Sequence, residues 1–147
     1  MPVRFQLVID CADADPLARF WAAALAYELA PPPDGFATWI DFYRDLGLPE
    51  KELVDGADRI SDPEGNGPDI WFHVVPDQKR GKNRLHLDIH ASGDRRDPFA
   101  TRRKRVDSEA ARLERLGATI TGPLAEEGLD HYAVGMWDPE GNEFDIN

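Results

Sequence analysis

The sequence predicts an α+β fold of two βαβββ modules, their strands forming a cup-shaped mixed sheet with helices on its outer face. Three observations predict it. A motif recurs at half the chain length, each half opens on a strand-like alternation of period two, and an amphipathic helix follows each alternation. The motif is Asp62-Pro63-Glu64-Gly65-Asn66 with Asp69-Ile70 two residues on. It returns as Asp138-Pro139-Glu140-Gly141-Asn142 with Asp145-Ile146 at the same gap. Asp-Pro-x-Gly alone is ordinary turn chemistry, but five identical residues and a matched gap point to internal duplication.

Module one spans about residues 3–76. Phe5 to Asp10 reads as a strand with Phe5, Leu7 and Ile9 on the packed face. Asp13 through Leu29 reads as a helix: Asp13 or Asp15 caps it, Pro16 suits its first turn, and Leu17, Phe20, Trp21, Ala24 and Leu25 form its stripe. Further strands are expected near Glu28–Ala30, Phe36–Tyr43 and Asp69–Val75, with a long insertion over about 44–67 carrying a short helix from Glu50 to Val54. Module two spans about 83–147. Leu85 to His90 alternates with Leu85, Leu87 and Ile89 packed. A helix over Val106–Leu116 turns Ala110, Leu113 and Leu116 inward before Gly117, and strands follow at Thr119–Thr121, Tyr132–Trp137 and Glu143–Ile146.

The 147 residues are 41% hydrophobic, enough for one real core rather than a disordered chain. A net charge of −11, from 28 acidic and 17 basic side chains, repels nucleic acid and anionic membranes. The basic run Arg102–Arg105 reads as a solvated approach to the second helix, diluted by Asp97 and Asp107. One cysteine, Cys11, excludes an internal disulfide, and no stretch is long and apolar enough to span a bilayer. A cytoplasmic protein is expected.

Asp10-Cys11-Ala12-Asp13 with Ala18 to Leu25, Gly81 to Asp88, Leu116-Gly117-Ala118-Thr119 and Trp137 to Phe144 resemble glyoxalase-like proteins of the vicinal-oxygen-chelate superfamily. The resemblance covers nearly the whole chain outside residues 44–67. It implies a small-molecule ligand, a homodimer, and ligands to a divalent metal (Fe, Ni, Zn or Mn) on the first and last strands of each module. Carried over, these are Gln6, His86 and Asp145, with either Asp69 or His73 as the fourth; the middle of the strand favours His73. Members of the superfamily include enzymes and antibiotic-binding proteins, so a metal-dependent lyase, isomerase or dioxygenase and a bleomycin-type binding protein both stay open.

Alternation supports the same face independently. It turns Gln6, Val8, Asp10, His86, Asp88, His90, Glu143 and Asp145 away from the packed side. Two histidines and a carboxylate suit a divalent metal acting as Lewis acid, with Glu143 or Asp88 as general base. Trp39 and Trp71 share parity with the polar face and are expected to line the ligand site.

Overall fold

The computed structural model describes residues 1–53 and 55–147. The chain divides into two compact units, Met1–Pro76 and Asp77–Asn147. Its architecture is mixed α+β with two four-stranded sheets and, among the described residues, three α-helices.

The first unit runs β1 (Gln6–Cys11), α1 (Ala14–Leu25), β2 (Glu28–Leu29), α2 (Trp39–Asp45), β3 (Arg59–Ser61) and β4 (Asp69–Val74). Its sheet order is β1-β4-β3-β2, with β1 parallel to β4 and the other pairs antiparallel. Period-two burial holds along β1: Leu7, Ile9 and Cys11 are more covered than Gln6, Val8 and Asp10. Ile60, Ile70 and Phe72 are buried, as are Leu17, Ala18, Phe20 and Trp21 of α1, which packs on β3 and β4. Asp15 pairs with Arg19 one turn on and accepts the Ala57 N–H at 2.7 Å, tying the loop before β3 to the helix start.

Helix α1 ends well short of Leu29, because Ala26 takes a left-handed conformation (φ 56°) and its N–H returns to the Ala22 carbonyl. A non-glycine residue is strained there. Ala26→Gly should therefore raise stability by about 0.5–1 kcal/mol in urea titration, with no change in the denaturant slope.

Three further expectations for this unit are corrected. Phe36–Tyr43 is not a strand: Trp39–Asp45 is helical, so Trp39 has no strand parity. The Thr38 hydroxyl accepts the Asp41 N–H at 3.1 Å and donates to the Asp41 carboxylate at 2.8 Å, a reciprocal cap that outweighs the β preference of the aromatic residues. Nor is 44–67 only an insertion, since β3 lies inside it and pairs with β2 and β4. The short helix expected over Glu50–Val54 is a 3₁₀ turn at Glu50–Glu52, and Val54 lies outside the described residues.

The second unit runs β5 (Asp88–Ile89), α3 (Phe99–Leu116), β6 (Thr119–Leu124), β7 (Ala133–Trp137) and β8 (Glu143–Ile146), in the order β5-β8-β7-β6 with β5 parallel to β8. Val106, Ala110 and Leu113 of α3 are buried, and Gly117 (φ 117°) stops the helix. Four expectations shift. Helix α3 starts seven residues before Val106, and Arg102 is not solvated but buried, its guanidinium over the Phe99 ring and bonded to the Asp97 carbonyl and Asp130. Leu116, expected inward, is exposed. Leu85 and Phe5, expected to pack, are 82% and 71% exposed, because each precedes the first residue that the neighbouring strand can pair.

Candidate metal-binding site

In the second unit, the short β5–β8 ladder sets Asp88 opposite Asp145. His86 lies two residues before Asp88, just ahead of the strand. His86 Nδ1 stands 2.9 Å from Asp88 Oδ1 and 3.9 Å from Asp145 Oδ2. Both carboxylates thus approach the ring at Nδ1, the imidazole atom that points into the cluster. One ligand atom from each of His86, Asp88 and Asp145 lies within 4.8 Å of the other two. An ion with bonds of about 2.0–2.2 Å would draw such atoms to roughly 3–3.5 Å apart, a small contraction for side chains this exposed. One imidazole and two carboxylates suit Mn, Fe, Ni or Zn.

Asp145 also pairs with buried Gly135 across β7, and a Cβ there would stand 2.7 Å from Thr121 Oγ1 and 3.7 Å from Asp145 Oδ1. A side chain at Gly135 would collide with Thr121, while its contact with Asp145 would be an ordinary one. Asn147 joins the periphery: its Oδ1 meets His90 Nδ1 at 2.6 Å and its Nδ2 reaches Asp88 at 3.4 Å.

Glu143 is held differently. Its Oε2 accepts the Asn83 N–H at 3.0 Å and pairs with Lys79 at 3.2 Å. Burial pushes the carboxyl up, but the Asn83 and Glu143 N–H groups and Lys79 outweigh it and hold it below the usual carboxylate range. A carboxylate so engaged is a poor proton acceptor, and its geometry serves to fasten residues 79–83 to β8.

In the first unit, Gln6 stands opposite Asp69 and Asp10 opposite His73, whose Nδ1 meets Asp10 Oδ1 at 3.1 Å. Asp69 is therefore the cross-strand neighbour of Gln6, and His73 lies four residues along the same face. Trp71, between them, has its ring 4.7 Å from that of His73. Trp39 reaches the same sheet face from α2, where it and Trp71 flank Arg59 at 4.8 and 5.0 Å from the guanidinium carbon. Tyr43 donates to Asp58 at 2.8 Å; burial, then the bond to Asp58, pushes its phenol up to about 12.

The family model of the glyoxalase-like domain matches residues 6–147. This chain belongs to that family. Among solved structures, the glyoxalase-like protein is similar to a glyoxalase/bleomycin resistance protein/dioxygenase family enzyme from Burkholderia phytofirmans PsJN. The two are 16% identical over 97% of this chain and 94% of that one, with a TM-score of 0.57. It is also similar to the fosfomycin resistance protein FosX from Listeria monocytogenes, crystallised with Mn(II) and 1S,2S-dihydroxypropylphosphonic acid: 10% identity, 100% and 92% coverage, TM-score 0.61. FosX from Mesorhizobium loti gives 10% identity, 99% and 91% coverage, and a TM-score of 0.56. At these identities the likeness is one of fold. No curated protein matches the chain.

Sequence reasoning on this glyoxalase-like protein picked out His86, Asp88 and Asp145 by alternation, with Asp88 as a candidate general base, and the structure brings the three together. Sequence reasoning missed Gly135, which no sequence signal marks, and Arg59 with Asp58, which fell in the supposed insertion.

Proposed function

We propose that this glyoxalase-like protein holds a divalent metal through His86, Asp145 and Asp88 and uses it on a small molecule bearing two neighbouring oxygens, as a lyase, isomerase or dioxygenase. The observation that carries the reading is the convergence of these three donors on one ladder position of the second unit. Bound there, the metal would supply Lewis acidity to the chelated oxygens. Both carboxylates face His86 Nδ1, which would be the imidazole's donor atom to the ion. The Mn(II) in FosX supports a metal on this fold. The homodimer and cytoplasmic location implied by the resemblance belong to the same reading.

Tag-free protein should contain about one equivalent of Fe, Ni, Zn or Mn per chain by mass spectrometry of the metals, falling at least tenfold in His86→Ala and Asp145→Ala. Asp88→Asn should also lose metal; full metal content with lost turnover would return Asp88 to the role of general base. Failure of the wild type to take up any of the four ions on reconstitution would end the metal reading.

A second reading, sequestration of a cationic bleomycin-type antibiotic, draws on the acidic charge and on Trp39 and Trp71. Arg59 weighs against it in the first unit, because a cation of the protein's own already fills the gap between those two rings.

A further inference from the structure

The donors of the second unit stand at one end of a row that crosses its sheet. Asp88 lies opposite Asp145 on β8, Asp145 opposite Gly135 on β7, and Gly135 opposite Gly122 on β6. Between Ile120 and Gly122 the register slips, so Thr121 is the extra residue of a bulge, and Gly122 (φ 142°) supplies the backbone conformation that lets the strand resume. A bulge re-aims the side chain it carries. Here it lays Thr121 over Gly135. A Cβ on Gly135 would stand 2.7 Å from Thr121 Oγ1, 3.6 Å from Leu124 Cδ1 and 3.7 Å from Asp145 Oδ1. A hydroxyl, an aliphatic group and a carboxylate of the donor set thus surround one point of the sheet face, and glycine is what leaves the hydroxyl there.

This corner is receptive. Thr121 is exposed, and its hydroxyl has no hydrogen-bond partner among the described residues. The neighbouring side-chain donors are committed: Lys79 to Glu143, and the Asn147 amide to Asp88. Apolar groups flank the row on both sides, Trp137 opposite Glu143 and Leu124 opposite Ala133, and each is 47% exposed. Both share the face of Asp145, because Val134, Met136, Phe144 and Ile146 alternate with that face and fill the core. No other ring stacks on Trp137 among the described residues. Open apolar walls around a few uncommitted polar groups are what a small-molecule site presents, and their continuity with the donor row says which molecule covers them.

We propose that Thr121, Leu124 and Trp137 are the specificity side of the metal site. The Thr121 hydroxyl donates to an oxygen of the molecule chelated beside Asp145, and the rest of that molecule, a compact uncharged aryl or alkyl group, lies over Gly135 between Leu124 and Trp137. The inference rests on the metal reading for where the chelated oxygens sit, and it deepens that reading by naming the substrate class: two neighbouring oxygens on an apolar substituent.

The probes are acetohydroxamate and benzohydroxamate, which share a chelating head and differ in methyl against phenyl. Each is titrated calorimetrically into zinc-loaded protein, with the Thr121 and Leu124 methyl resonances followed in ¹³C spectra. Benzohydroxamate should bind at least about tenfold more tightly than acetohydroxamate, and that ratio should fall at least about threefold in Leu124→Ala and in Trp137→Ala. Thr121→Val keeps the shape and loses the hydroxyl, so it should weaken both probes about fivefold, while Thr121→Ser should restore them to within about twofold. A Thr121 with a merely structural role would lower zinc content and leave the affinity of the loaded fraction as it was. Equal affinities for the two probes, an unchanged ratio in the folded wall variants, or wild-type binding in Thr121→Val would overturn the proposal. If Trp137→Ala does not fold, Leu124→Ala decides. If the wild type takes up no zinc, millimolar benzohydroxamate is added to chelator-stripped protein. Shifts at the Thr121 and Leu124 methyls would then keep the subsite and remove only its metal, and silent methyls would refute it.

Discussion

Phe144→Ala should cost about 3–5 kcal/mol of unfolding free energy, a large share of what a domain this size commands. Phe144 is 1% exposed and sits on β8 between Glu143 and Asp145, so its ring faces the core while its neighbours face the other way. Truncation leaves a cavity that Val106, Leu113 and Met136, all buried, cannot refill without moving backbone. The same strand carries Asp145, so the metal content proposed above should fall with stability. Guanidinium titration reads the first effect and metal analysis the second. Leu116→Ala, at an exposed site on α3, is the control and should lie within about 0.5 kcal/mol of wild type. A Phe144→Ala loss below about 1 kcal/mol would mean that the second unit has no close-packed interior at this point.

Asp138→Ala should cost about 2–4 kcal/mol by the same titration. The side chain is 3% exposed and accepts from the Glu140 and Asn142 N–H groups, each at 2.9 Å, while both its oxygens meet Asn142 Nδ2. These bonds shape the turn between β7 and β8 and so set where Glu143 and Asp145 enter the sheet. Alanine leaves the donors unanswered inside the protein, which costs more than the bonds contribute when present. Asp138→Asn, which keeps an acceptor, should recover part of the loss; equal damage from both variants would show that the charge itself matters. The matching Asp62 makes the same kind of turn with the Glu64, Asn66 and Gly67 N–H groups, but in an open setting. Those bonds hold its carboxyl below the ordinary 3.8, so its contribution is complete above that pH and fades as acid titrates the folded form. Replacing Asp62 should therefore do less harm than replacing Asp138.

That pair of turns also shows why so much of the fold was legible. Duplication wrote the same five residues twice, and each copy leads into the last strand of its unit. Alternation along Phe5–Asp10, Leu85–His90 and Glu143–Ile146 tells inner from outer residues, and it puts His86, Asp88 and Asp145 on one face. Legibility failed where local chemistry overrode pattern. Trp39-Ile40-Asp41-Phe42-Tyr43 alternates acceptably, yet the Thr38–Asp41 cap makes it helical, and that three-residue spacing was visible in the sequence. Strand β3, three residues long, is too short to show any period. The Arg59 cluster could not be read at all, since it joins side chains from α2, β3 and β4 whose meeting depends on tertiary packing.

Helix α2 has no buried residue, whereas α1, on the other side of the same sheet, buries seven. One face is thus sealed by close-packed hydrocarbon and the other by rings, a guanidinium and a few polar bonds. Native-state hydrogen exchange should separate them: amides of 39–45 will exchange through brief excursions well below the global unfolding free energy, and those of α1 only when the whole unit melts.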